Sequence, residues 1–342
     1  MIWIRADANS EIGTGHVMRC LSVAKEIRKS GNEVCFILAD EFPVKILSDN
    51  QINYKVLQTQ YDKTEEEIPL LCQWLEAESP QCLLVDSYFV TKEYFEQVSR
   101  FTKVAYVDDF CHAEYPVDVL INYNIYGDSL PYKGNTAKDS TELLLGTGYV
   151  PLREEFRNAG YELRKEVKHV LVTTGGSDKY NLAGRIVEKA IQNEKIRGLH
   201  YHVVSGMFNQ NTPFLKELEE THVNVHVYHN VTNMAELMKQ CDIAITAGGS
   251  TMYELCALGL PMIAFSFVEN QEKQIETFAK KEMLGFGGNY LLQKDEMLDE
   301  VLLHIQRMMD SPEERKKYNK RGRQIVDGQG ARRIAQKLSE IN

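Results

Sequence analysis

No apolar run in this chain reaches the roughly 18 residues that a membrane span requires. The amino terminus, Met1-Ile2-Trp3-Ile4-Arg5, reads directly as a strand and lacks the basic region and long apolar stretch of a signal peptide. A cytoplasmic protein without membrane insertion is the expectation. Proline is scarce, at 9 among 342 residues, and with no low-complexity segment this excludes long disordered regions. The 7 cysteines are odd in number, form no C-x-x-C pair and sit mostly in apolar runs, as buried thiols of a reducing compartment do. Positive charge is in deficit: Lys and Arg total 39 against 49 Asp and Glu, a formal charge of −10 that opposes binding to nucleic acid or anionic membranes. A basic stretch over 307–337 reads as a solvated helical face, since a nucleic-acid tail would need many more basic residues and interleaved aromatics. H-E-x-x-H, clustered Cys/His ligands, a P-loop and G-x-S-x-G are all missing. Neither a metal nor another cofactor is therefore expected.

What is present is a length beyond the roughly 100–200 residues of one domain, filled by short apolar runs alternating with stretches of helical period. That pattern builds parallel sheets covered on both faces. Strands are expected at 2–6, 34–38, 54–57, 83–86, 104–107, 119–121 and 143–145, then at 169–174, 201–205, 223–228, 243–246 and 262–265. Helices are expected at 16–29, 65–78, 92–100, 181–193, 232–239, 250–257, 271–280, 295–309 and 311–338. The fold class is α/β, with two Rossmann-like, doubly wound domains facing a cleft: 1–150 and 167–310, joined by a charged, irregular linker over 151–166. A C-terminal helix within 311–342 is expected to pack back toward the first domain.

Ligands of such sheets bind beyond the carboxyl ends of the strands, so the loops after strands are the place to look for chemistry. After the first strand come Arg5, Asp7, Gly13, Gly15 and His16. A dinucleotide fingerprint would need a third glycine where Met18 stands. His16 instead falls in the first turn of a helix, whose positive end opposes an added positive charge and suits a general base. Asp86 and Tyr88, and the pair Asp108 and Asp109, follow the strands at 83–86 and 104–107; an aspartate there is often only a cap or a turn former. In the second half, Gly175 opens a glycine and hydroxyl loop competent as an anion nest. Gly248, Gly249, Ser250, Thr251 and Glu254 form the strongest segment. Backbone N–H groups and two hydroxyls at a helix start can hold a diphosphate, and a glutamate one turn in can accept from two ribose hydroxyls. Asn270 and Gln271 begin a further helix with uncharged amides, which orient a sugar or a water without titrating.

Taken together, Arg5-x-Asp7, Gly13-x-Gly15-His16-Val17-Met18-Arg19, Asp86-x-Tyr88, Asp108-Asp109, Pro151-Leu-Arg-x-Glu-Phe156, Gly175-Gly176-Ser177-Asp178, Gly248-Gly249-Ser250-Thr251-x-x-Glu254 and Asn270-Gln271 resemble one family in order and spacing over the whole chain. It is the family of UDP-sugar hydrolases of bacterial pseudaminic acid biosynthesis and the related spore-coat polysaccharide proteins. The resemblance implies a glycosyltransferase B fold, with UDP mainly on the second domain and the sugar meeting the first. It implies His16 as the residue that activates water, Asn270 and Tyr88 as further catalytic groups, and Arg5, Asp7, Asp86 and Gln271 beside the sugar. The nucleotide would fall to Gly15, Gly175, the backbone near Val231, Gly248 to Thr251, and Glu254 for the ribose. One departure is Ser87, where the family often has histidine.

The reaction so implied is attack of water at the anomeric carbon, with inversion and loss of UDP, by a monomer that needs no partner beyond its UDP-sugar. A glycosyltransferase with the same donor site, a non-catalytic nucleotide-sugar binding protein and a sugar-nucleotide 2-epimerase are the alternatives that this architecture admits.

Overall fold

Residues 1–132, 136–229 and 231–341 are described by the structure, a computed structural model. Two compact units result: Met1–Arg153 with Gln329–Asn342, and Glu154–Gly328. The segment 151–166, expected as a linker, is thus divided between them at Glu154.

In the first unit the strands are β1 (Ile2–Ala6), β2 (Val34–Leu38), β3 (Asn53–Val56), β4 (Cys82–Asp86), β5 (Lys103–Val107), β6 (Val119–Asn122) and β7 (Glu142–Leu145). They form one sheet in the order β3-β2-β1-β4-β5-β6-β7, each parallel to its neighbours. Helices α1 (Gly15–Lys29), α2 (Val44–Asp49), α3 (Thr64–Glu78) and α4 (Lys92–Val98) connect the strands. β1, β2 and β4 are buried at every position, which is why they read as unbroken apolar runs rather than alternating ones. Arg5 interrupts that rule. Its fully buried guanidinium grips both carboxylate oxygens of Glu67 on α3 (2.8 and 2.7 Å), and the Tyr94 hydroxyl of α4 donates to the same carboxylate at 2.8 Å. A charge without water survives there because it is paired and fully hydrogen-bonded.

In the second unit β8 (His169–Thr173), β9 (His200–Ser205), β10 (Val225–His229), β11 (Ile243–Ala247), β12 (Met262–Ser266) and β13 (Gly285–Asn289) form a parallel sheet in the order β10-β9-β8-β11-β12-β13. Its helices are α5 (Leu182–Gln192), α6 (Thr212–Thr221), α7 (Met234–Gln240), α8 (Ser250–Leu258), α9 (Glu272–Lys280), α10 (Tyr290–Gln293), α11 (Asp295–Asp310) and α12 (Pro312–Ile325). α5 shows the usual logic: Leu182, Ala183, Ile186, Val187 and Ala190 share one buried face. Both sheets reverse strand order beside their first strand, so the switch points lie between β1 and β4 and between β8 and β11. Ligands of such sheets collect beyond the strand ends at those points.

The expected single helix over 311–338 is corrected to two, α12 and α13 (Gly330–Glu340). Gly328 breaks it with φ of +72°, and a Cβ there would stand 2.8 Å from the Phe156 carbonyl. α13 belongs to the first unit, against α1, where Gln81 Nε2 donates to the carbonyls of Ser339 and Ile341 (3.0 and 2.9 Å). The sequence reading also missed β13, α2, α6 and α10. Among the described residues no helix is long and apolar enough to cross a membrane, and none of the 7 cysteines is in a disulfide.

Candidate active site

At the switch point of the first unit, the loop after β1 and the end of β4 bring His16 and Asp86 together. His16 is the second residue of α1, and its Nδ1 lies 2.7 Å from Asp86 Oδ1. Asp86 is 1% exposed, and its other oxygen accepts from Arg19 Nε at 2.5 Å and from the Cys20 thiol at 3.3 Å. Burial alone would raise this carboxyl's pKa. The Arg19 guanidinium and the His16 ring outweigh burial and hold it well below the ordinary carboxylate range. An ionised carboxylate only accepts, so Nδ1 carries the hydrogen and a neutral His16 ring keeps its lone pair on Nε2.

Arg19 extends the arrangement. One nitrogen reaches Asp109 Oδ2 at 3.0 Å and also meets the Tyr123 hydroxyl. Tyr88 stands edge-on to His16 with ring centroids 4.5 Å apart, and its hydroxyl donates to Asp109 at 3.1 Å. Burial and the Asp109 carboxylate push the Tyr88 phenol above its usual pKa, so it stays protonated. Asn124 Nδ2 donates to the second oxygen of Asp109 at 3.1 Å. Asp7, Ile12, His16, Tyr61, Asp86, Ser87, Tyr88 and Phe89 line a narrow recess of about 10 Å³.

Two of the expected sugar contacts change role here. Arg5 is fully buried with its fork committed to Glu67 and Asp7, so it supports Asp7 rather than meeting a ligand. Asp86 lines the recess, but both its oxygens are engaged by His16, Arg19 and Cys20. Asp7, 4% exposed, lines the recess, but one oxygen pairs with Arg5 and the other accepts the Ala39 N–H at 2.8 Å. Gly15 is the first residue of α1 and carries no crowding neighbour. The residues that sequence reasoning missed are Glu67, Tyr123 and Asn124, since no motif connects them to the loops they hold.

In the second unit, Gly248 to Glu254 run from the end of β11 into α8. Gly249 has φ of +140°, a conformation reserved for glycine. A Cβ on Gly248 would lie 2.7 Å from Cβ of Gln271, so this glycine admits the close approach of α9. The N–H groups of both glycines, expected to cradle a diphosphate, are already spent: that of Gly248 on the Phe265 carbonyl (3.1 Å), that of Gly249 on Gln274 Oε1 (2.8 Å). The donors that remain are the N–H groups and hydroxyls of Ser250 and Thr251 in the first turn of α8, with Glu254 part-exposed in the next turn. Gln271, expected beside the sugar, donates to the Gly248 carbonyl at 3.0 Å and accepts the Phe267 N–H at 3.1 Å. Asn270, on the 3₁₀ turn Glu269–Gln271, is exposed. Gly175 (φ +88°) and Val231 stand on the loops after β8 and β10, at the same end of the sheet. Among the described residues, no group of three or more His, Cys, Asp or Glu is placed to hold a metal ion.

This architecture and these loops define a class: residues 169–338 match the Glycosyltransferase family 28 C-terminal domain, and the fold as a whole is of the glycosyltransferase B type. MurG of Acinetobacter baumannii shares it with a TM-score of 0.68 at 13% identity, over 99% of this chain and 100% of that one. The UDP co-structure of MnaA from S. aureus gives 0.67 at 12%, over 97% and 94%. More particularly, the chain is 26% identical to the UDP-2,4-diacetamido-2,4,6-trideoxy-β-L-altropyranose hydrolase of Campylobacter jejuni, over 82% of this chain and 96% of that protein. It is 27% identical to the spore coat polysaccharide biosynthesis protein SpsG of Bacillus subtilis, over 99% and 98%. An uncharacterized protein of Methanocaldococcus jannaschii, MJ1062, is 28% identical over 82% of this chain, which spans 58% of that protein's length.

Proposed function

We propose that the chain hydrolyses a UDP-linked acetamido sugar, with UDP-2,4-diacetamido-2,4,6-trideoxy-β-L-altropyranose as the substrate its relatives' names point to. The observation that carries this reading is the 2.7 Å pairing of His16 Nδ1 with Asp86, which leaves a basic Nε2 at the switch point of the first unit. His16 takes a proton from water through Nε2 as the water oxygen bonds to C1 of the sugar. The bond from C1 to the phosphate oxygen breaks on the opposite face, its electron pair leaves with UDP, and the configuration inverts. Asp86 holds the tautomer and stabilises the imidazolium that forms. In the second unit the first turn of α8 receives the diphosphate, and its N–H groups and helix dipole meet the departing charge. Glu254 takes the ribose, the backbone near Val231 the uracil, and Asn270 supplies an active-site amide.

The recess beside His16 favours the sugar class. Its polar groups are largely committed inside the protein, Ser87 Oγ accepting the Phe89 N–H at 3.3 Å and Asp7 and Asp86 engaged as above. The faces of Ile12, Tyr61, Tyr88 and Phe89 suit methyl and acetamido groups better than unpaired hydroxyls. In this reading the enzyme works as a monomer in the cytoplasm. The match to a glycosyltransferase domain favours one second reading, transfer to an acceptor hydroxyl in place of water. Incubation with UDP-sugars without acceptor tests both: UDP release with the free sugar appearing first as the inverted anomer by NMR supports hydrolysis. Release only when an acceptor is added makes the chain a transferase.

A further inference from the structure

The loop between β11 and α8 is held from outside by one buried amide. Gln274, 6% exposed on α9, presents Oε1 to the Gly249 N–H at 2.8 Å and donates through Nε2 to the Gly249 carbonyl at 3.2 Å. Both polar groups of a single residue's backbone are therefore answered by one side chain. One turn earlier, Gln271 holds the carbonyl of Gly248. Only glycine adopts the φ of +140° found at Gly249, and that geometry turns the chain into α8. A loop built this way has no side chain of its own to stiffen it, and no side chain caps the helix; its shape is set by α9.

We propose that Gln274 is a positioning residue for the nucleotide diphosphate, aiming the N–H groups of Ser250 and Thr251 at it by locking Gly249. This rests on the UDP reading above. The chemistry asks for glutamine at this place. A carboxylate would still accept the Gly249 N–H, but its second oxygen would oppose the Gly249 carbonyl and set a negative charge near an anionic ligand. Asparagine is one methylene shorter, and an apolar residue leaves the Gly249 N–H without its partner and the Gly249 carbonyl with the Met252 N–H alone.

The test measures UDP binding by calorimetry for the wild type, Gln274→Met and Gln274→Glu between pH 8 and pH 5, with thermal melts to confirm folding. Gln274→Met should weaken UDP binding by about 10- to 100-fold, the range expected for losing two hydrogen bonds at one site. In turnover its KM should rise more than its kcat falls. Gln274→Glu should be as weak at pH 8 and recover relative to wild type as the pH falls, because the protonated acid again both accepts from N–H and donates to C=O. A merely structural role would lower the melting temperature and leave the UDP affinity of the folded protein at the wild-type value, with no pH-dependent recovery; that result overturns the proposal. If the wild type itself binds no UDP, the UDP reading fails and this inference falls with it. Wild-type binding with unaltered binding in both variants sinks the inference alone.

Discussion

His16 and Asp86 are 70 positions apart in the chain and 2.7 Å apart in space, joined through the ring nitrogen Nδ1. Asp86→Asn keeps the shape of this pair and removes its charge. The amide can then donate to the ring and favour the wrong tautomer, with the hydrogen on Nε2. We expect kcat to fall by about 10²–10⁴-fold, the scale of a lost or misoriented general base. UDP affinity, which the proposed function assigns to the second unit, should stay unchanged. Steady-state kinetics with calorimetric UDP binding decides; turnover within a few-fold of wild type would remove His16 from the role of base.

Arg5 belongs to a motif that suggests a ligand, yet its side chain is a structural support. Glu67→Ala leaves a buried guanidinium with Asp7 alone, and removing one partner of a buried pair costs about 3–5 kcal/mol. The urea midpoint should drop accordingly. Replacing Arg5 and Glu67 by apolar residues and neutralising the carboxylate that Arg5 also pairs with, Arg5→Met with Glu67→Leu and Asp7→Asn, should recover much of that loss, since no uncompensated charge then stays buried. If the triple variant is no more stable than Glu67→Ala, burial of an unpaired charge is not the cause.

Much of this fold was legible because parallel strands buried on both faces leave a plain signature: 2–6 and 34–38 match the observed β1 and β2 residue for residue. β13 escaped because it is Gly-Phe-Gly-Gly-Asn. Its glycines are small for α11's sake, a Cβ on Gly285 meeting His304 at 2.8 Å and one on Gly287 meeting Val301 at 2.7 Å. No local propensity encodes that need. The break between α12 and α13 was signalled by Asp327-Gly328, a turn pair hidden in a basic, helix-forming stretch. In the site, the loops that carry His16 and Gly248 to Thr251 were visible. Which polar atoms remain available was not, because Glu67, Gln274 and Asn124 act from distant elements. A glycine pair thus read as a cradle for phosphate, when its N–H groups answer Phe265 and Gln274.

Four histidines, His169, His200, His202 and His226, stack on neighbouring strands of the second unit, with His202 between the His169 ring at 2.9 Å and the Tyr228 hydroxyl at 3.1 Å. Burial first, then its histidine neighbours, pulls His202 down to about 4, against the opposing pull of Asp242. The sign follows: between about pH 6.5 and pH 4 the unfolded chain binds a proton that the native one refuses, so stability falls as pH falls through this window and levels off below it. The loss attributable to His202 is at most about 3 kcal/mol. His202→Asn should flatten the fall in urea midpoint between pH 7 and pH 4.5. An unchanged slope would show that other groups carry the pH dependence.

Gly248 and Gly249 stand side by side and should fail differently. Gly249→Ala meets open space, so its cost is backbone strain alone at φ of +140°, about 1–3 kcal/mol. The chain can relieve that strain by rotating the peptide out of its place against Gln274, which disturbs the start of α8 while the core stays intact. Its UDP affinity should therefore fall by tenfold or more, on the scale of that strain, with a melting temperature close to wild type. Gly248→Ala has an ordinary backbone but places its methyl 2.7 Å from Gln271 Cβ and 3.0 Å from Ile275 Cδ1, inside the packing of α9 on the sheet. Overpacking of this kind costs about 1–3 kcal/mol of global stability, so its melting temperature should fall together with UDP binding. Equal melting temperatures for the two variants would mean that α9 yields freely at Gln271, and the loop would then owe its shape to its own backbone rather than to the helix that grips it.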